Sequence, residues 1–277
     1  DGSTRHKKCL DTQTNEEYLC KTTNGSHEKM LSAYFRLTAQ DGENDPLIRP
    51  VKKILKSGNE TFLLISPKNF GDLHSYVRER RRLPEDEARS LFRQICQTVE
   101  LCHENGIVLR DLKLRRFIFT TSDRTKLQFE SIEEAAVLDD PEDDTLHEKI
   151  GCPTYIAPEL LKINSRYAGK AADIWSLGVI LYSMLVGRYP FHDKNASHLF
   201  AKILNGSFYL PGWLSNKARC FIRSLLRKKP EERMHSSDLL YHPWFQEEQT
   251  NDFFKMLDQE NQENDDQCVP EYSPNER

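Results

Sequence analysis

The residues best suited to chemistry lie between Ile107 and Phe119. There two short apolar stretches flank a loop holding one acid, Asp111, among four cations, Arg110, Lys113, Arg115 and Arg116. This has the form of a catalytic loop. Arg116 limits what such a loop can do, because a guanidinium has five donors, no acceptor and a permanent positive charge. It cannot ligate a metal ion and would repel one; its plainer alternative is a side chain turned to solvent. Three further charged groups read, as residues, more plainly. Lys21 ends an apolar stretch, where a lone lysine reads first as a solvated edge residue, and Glu133 reads first as a surface carboxylate. The run Asp139-Asp140-Pro141-Glu142-Asp143-Asp144 offers oxygens for weak divalent binding but reads first as solvated.

Elements must position these groups. Cys9-Leu10 and Tyr18 to Lys21 read as strands around a polar turn, and a helix is expected over about 28–37, where Glu28 is the only acid. Thr61 to Ile65 reads as a buried strand. Asp72 caps a short helix. Pro84, the acids at 85–87 and apolar residues at 88, 91, 92, 95, 99 and 102 predict a long amphipathic helix that Asn105-Gly106 ends. Strands follow at Phe117 to Phe119 and Leu127 to Phe129. Ile174 to Gly187 is too short to span a bilayer and is expected to be a buried helix. Later helices are expected at 196–204, 215–226 and 236–240.

Composition excludes several classes. With a net charge of -4 the chain has no basic footprint for nucleic acid or an anionic membrane, and the arginine runs at 78–82 and 110–116 read first as solvated faces. Its seven cysteines and nine histidines show no metal-site spacing. The scattered cysteines suit a reduced cytosolic or nuclear setting.

Arg110-Asp111-Leu112-Lys113 resembles the H-R-D-L-K-x-x-N loop of protein kinases, with Leu109 in place of the His and Arg116 in place of the Asn. In that family the Asp accepts the substrate proton and the Asn holds magnesium. Ser131-Ile132-Glu133 stands where D-F-G would supply the other metal ligand. Gly151 to Glu159 resembles the end of an activation segment with its A-P-E, Asp173-Ile174-Trp175-Ser176-Leu177-Gly178 a central helix, and Arg233 the partner of Glu159. No two of the twelve glycines are two positions apart, so no G-x-G-x-x-G loop lies within these residues.

Among kinases, the combination of Leu109 to Arg115, Ser131-Ile132-Glu133, Gly151-Cys152-Pro153 and Gly169 to Val179 resembles the Tribbles family of pseudokinases. The resemblance implies an α+β, two-lobed protein-kinase-like fold, with a small β-rich lobe at 1–70, a helical lobe at 71–246 and a flexible acidic tail at 247–277. It implies no effective enzyme: Asp111, Lys113 and Lys21 would be vestigial, Arg116 and Ser131 degraded metal positions, and Arg110, Glu159, Asp173 and Arg233 structural. No cofactor or metal is expected, and any ATP binding would be weak and magnesium-independent.

The tail carries Asp265, Asp266, Gln267, Val269, Pro270 and Glu271, which resemble the peptide recruiting a photomorphogenesis-type E3 ubiquitin ligase. A Val-Pro anchor on an extended strand with flanking acids suits a pocket with a basic rim. Phe253, Phe254, Met256 and Leu257 read equally as a docking turn or a nonspecific apolar patch. His242, Pro243, Trp244 and Phe245 resemble a docking site for MAP-kinase kinases, although as residues they read first as core. The implied function is an adaptor in cytoplasm and nucleus that brings a CCAAT/enhancer-binding-type transcription factor to the ligase. MAP-kinase kinases or Akt-type kinases are further implied partners; nucleic acid and membrane are not. The alternatives are a weak metal-independent kinase, or a docking inhibitor of signalling kinases.

Overall fold

The computed structural model describes residues 7–24, 31, 33–34, 37, 46–58, 60–67, 69–162 and 166–246. Four strands, β1 (Lys7–Leu10), β2 (Glu17–Asn24), β3 (Val51–Ser57) and β4 (Glu60–Ile65), build an antiparallel sheet ordered β1-β2-β4-β3. Side-chain alternation decides what each face holds. Tyr18, Cys20 and Leu64 form a small outer cluster, so Lys21, opposite Leu63, faces the main core. β2 runs three residues past Lys21, which is therefore a buried mid-strand residue and not a solvated strand end. β3 was not anticipated: its lysines and the irregular register between Val51 and Lys53 obscure alternation, and lysine-rich character is typical of an edge strand. In the expected helix over 28–37, Leu31, Ala33, Tyr34 and Leu37 are helical, while Glu28 lies outside the described residues.

Backbone bonds continue the sheet region into the helical one. Arg49 N–H donates to Phe129 O, and Phe119 N–H to Gly71 O, each at 2.9 Å. Beyond them come α1 (Leu73–Arg80), capped by Asp72 accepting from Ser75 N–H at 2.9 Å, and α2 (Glu85–Glu104). All six apolar positions expected for α2 are buried. β5 (Ile107–Val108) pairs with β8 (Ala136–Val137), and β6 (Phe117–Phe119) with β7 (Leu127–Phe129). β9 (Thr145–Leu146) pairs with β10 (Tyr167–Ala168), which leads into α3 (Gly169–Val186). α3 is long and apolar enough to cross a membrane by composition, yet it is mostly buried within the protein. Gly187 ends it at φ +75°, where an added Cβ would sit 1.7 Å from Arg81 O, so glycine is required.

α4 (Ala196–Asn205) and α5 (Asn216–Leu225) follow. Residues 236–241 form a 3-10 turn and not the expected helix. The fold is thus α+β, a β-sheet region followed by a helical one. Glu159 and Arg233 close the helical region with a buried bidentate pair at 2.6 and 2.7 Å, and Arg233 also donates to Ala171 O and Arg227 O, both at 2.8 Å. Removing one partner strands a buried charge, so Arg233→Met should destabilise the protein by roughly 3–5 kcal/mol in urea unfolding.

Candidate functional site

α3 sets the loop. The Asp173 carboxylate accepts from Leu109 N–H at 2.7 Å and Arg110 N–H at 2.9 Å, and His103 Nε2 lies 3.0 Å from it. Because a carboxylate only accepts, Nε2 carries the proton. These bonds hold Arg110 at φ +60°, a left-handed conformation disfavoured for a residue with a Cβ. The Arg110 side chain donates to Glu134 O at 2.6 Å and Glu148 Oε2 at 3.2 Å. Leu109, Leu112 and Leu114 anchor the loop in the core.

Asp111 is buried and its oxygens are occupied. Lys113 Nζ donates to Oδ1 at 3.0 Å and Oδ2 at 2.7 Å, while Arg116 Nε and Nη2 reach Oδ2 at 3.0 and 2.8 Å. Three of these four hydrogen bonds converge on Oδ2 and one reaches Oδ1. A general base works through a lone pair within reach of the proton it removes. Here Oδ2 is taken by three donors, and Oδ1, bonded to Lys113, is held beside two fixed cations that make the carboxylate a poorer proton acceptor. Arg116 therefore turns inward and not to solvent.

The second cluster closes in the same way. Ser131 is buried, and its Oγ accepts from Glu133 N–H at 3.2 Å. The Tyr34 hydroxyl accepts from Ile132 N–H at 3.0 Å, and burial pushes its pKa up to about 12, so it stays a neutral phenol. Glu133 is not the surface carboxylate expected: its side chain is 12% exposed, and Lys21 Nζ, 2% exposed, lies 3.2 Å from Oε1 and donates to Oε2 at 3.3 Å. These residues do not fit a magnesium ion, which needs open hard-oxygen ligands. A guanidinium occupies one position, a bonded hydroxyl the other, and both nearby carboxylates are paired with cations. Among the described residues no group of three or more His, Cys, Asp or Glu could hold a metal. The acidic run at 139–144 instead serves local structure, with Asp144 accepting from Lys170 N–H at 2.7 Å.

The remaining candidates lie apart. Trp244 and Phe245 are buried against Phe92 and Phe221, with Trp244 Nε1 donating to Glu85 Oε2 at 3.1 Å, as the core reading expects. His242 stacks on Phe221, ring centroids 4.4 Å apart. The tail candidates, 253–257 and 265–271, lie outside the described residues. A cavity of about 660 Å³ opens beside the Glu159–Arg233 pair, away from Asp111 and Lys21. Sequence reasoning missed Tyr34, for which no local signal exists, and the Lys21–Glu133 pair, whose members are 112 positions apart. Glu133→Ala would release Lys21, so metal-free ATP affinity measured by calorimetry should rise, by about tenfold for one freed phosphate contact.

The chain matches the protein kinase domain family over residues 2–245. It is 45% identical to Tribbles of Drosophila melanogaster over 280 residues, covering 94% of this chain and 58% of that protein. It is 45% identical to human Tribbles homolog 1 over 240 residues, covering 86% and 63% respectively. Against mouse Tribbles homolog 3 it is 47% identical over 242 residues, covering 87% and 66%. The chain thus spans less than two thirds of these relatives' length. A kinase loop whose acid is bound by its own lysine and arginine, beside a Ser-Ile-Glu triplet, accords with that similarity: the chain belongs to the Tribbles family, built on the protein kinase domain.

Proposed function

We propose that this protein is a pseudokinase adaptor, working by holding partners together and not by transferring phosphate. Tribbles family membership carries such a role in general terms. The observation that supports it most is the closure of Asp111 by Lys113 and Arg116. Phosphoryl transfer needs a base on the acceptor hydroxyl and a dication on the developing charge. Here the acid is occupied, and the metal positions are Arg116 and Ser131. No bound metal is needed in this reading, and nucleotide binding is weak and independent of magnesium.

The adaptor would hold a degradation target, such as a CCAAT/enhancer-binding-type transcription factor, on the face formed by the catalytic loop and activation segment. Asp265, Asp266, Gln267, Val269, Pro270 and Glu271 would engage a photomorphogenesis-type E3 ubiquitin ligase, in cytoplasm and nucleus. Two sites on one chain raise the effective concentration of ligase at target to about millimolar without any new chemistry. MAP-kinase kinases and Akt-type kinases are further partners in this scheme. The weak-kinase alternative keeps one supporting observation, that Lys21, Asp111 and Lys113 are all present. Docking through 242–245 is less favoured, since Trp244 and Phe245 are buried.

Calorimetry of the full chain separates these readings. Ligase substrate-recognition domain should bind, and Val269→Ala with Pro270→Ala should weaken it roughly thirtyfold, the loss of an anchor of about 2 kcal/mol. Unchanged ligase binding in that variant, or tight magnesium-dependent ATP binding, would put the kinase reading first.

A further inference from the structure

The cations on the outer side of the catalytic loop take no part in closing Asp111. His74 and Arg78 are four residues apart on α1 and therefore share one face. The antiparallel bridge between Asp72 and Ile118 fixes the start of α1 against the strand that follows Leu114–Arg116. Arg115 lies in that turn, exposed, while Lys113 and Arg116 on either side of it turn in to Asp111. Arg115 and Arg78 are both close enough to act electrostatically on His74.

The acids around this group are hydrogen-bonded or ion-paired to other residues, although Asp72 also acts on His74 through space. Asp72 accepts from Ser75 N–H and Oγ–H, both at 2.9 Å; Glu79 pairs with Arg124 at 3.3 Å; Glu87 accepts from Tyr76 and from Arg80. Among the described residues no carboxylate pairs with Arg78 or Arg115. His74 Nδ1 is buried without a hydrogen-bond partner there. Burial first, and Arg115 next, hold the His74 imidazole below its ordinary pKa, with Asp72 opposing them only in part, so a further anion beside it would relieve the remaining penalty.

Resting on the adaptor reading, we propose that His74, Arg78 and Arg115 form a subsite for carboxylate side chains, so that the target segment held across the catalytic loop is acidic. The chain's net charge of -4 opposes an extended polyanion such as nucleic acid or an anionic membrane. Two arginines, Arg78 and Arg115, both acting on an imidazole whose Nδ1 lacks a partner, suit single Asp or Glu side chains, and charge complementarity there would select partners.

The test is an NMR titration of the full chain, following the His74 ring signal, assigned through His74→Gln. The probes are a ten-residue alternating Glu-Ala peptide, its Gln-Ala counterpart and a phosphoserine-Ala counterpart. The Glu-Ala peptide should move the signal and the Gln-Ala peptide should not. Arg78→Glu with Arg115→Glu should weaken the response about tenfold, and the milder Arg78→Gln with Arg115→Gln should fall between. Arg223→Glu with Arg227→Glu, an equal charge change elsewhere, should leave it intact. Equal loss in both charge-reversed proteins, equal binding of the Gln-Ala peptide, or a response to phosphoserine alone would overturn the proposal. Ligase binding measured on the same variants keeps the outcomes separate. If it persists while the acidic peptide is lost, the subsite is supported; if it is absent in the unaltered chain, the adaptor reading fails whatever the peptides do.

Discussion

The Asp173 carboxylate is the constraint from which the site follows. Buried at the start of α3, it accepts two successive backbone N–H groups of the catalytic loop and faces His103 from the end of α2. Three separate elements are thereby tied to one acid. The left-handed Arg110 is sustained by these bonds, and the turn it makes carries Asp111 inward. Losing the carboxylate would leave two buried donors unsatisfied, a cost of about 1–3 kcal/mol each.

Given that loop path, the charges of the cleft satisfy one another. Asp111 binds Lys113 and Arg116, and Glu133 binds Lys21. A catalytic cleft keeps some charged groups open for metal and phosphate and bears the strain of doing so. Here intramolecular partners take those places. Arg116 has two consequences at once, since it removes an oxygen ligand and supplies the cation that helps cover the base. Tyr34 extends the same closure by holding the backbone of the Ser-Ile-Glu triplet.

Much of the fold was legible because its signals are local. α2 and α3 declare themselves through periodicity, caps and apolar runs, and the Glu159–Arg233 pair follows from the motif order. The partners of Lys21, Arg116 and Glu133 were not legible. Alternation along β2 turns Lys21 inward only once the outer cluster of Tyr18, Cys20 and Leu64 is known, and that cluster joins strands far apart in sequence. Lysine-rich β3 hid for a related reason, since an edge strand needs no regular apolar face. Within the site, the residue types stood at their motif positions; which charge met which depended on the folded backbone.

The most direct measurement is an electron paramagnetic resonance titration of manganese into the purified chain with saturating ATP. Mutual pairing of the cleft charges predicts a free-ion signal that falls no further than ATP alone accounts for. Stoichiometric manganese binding at micromolar concentration, abolished by Asp111→Asn or Glu133→Gln, would contradict it, because it would mean that these carboxylates leave Lys113, Arg116 and Lys21 to take up a metal.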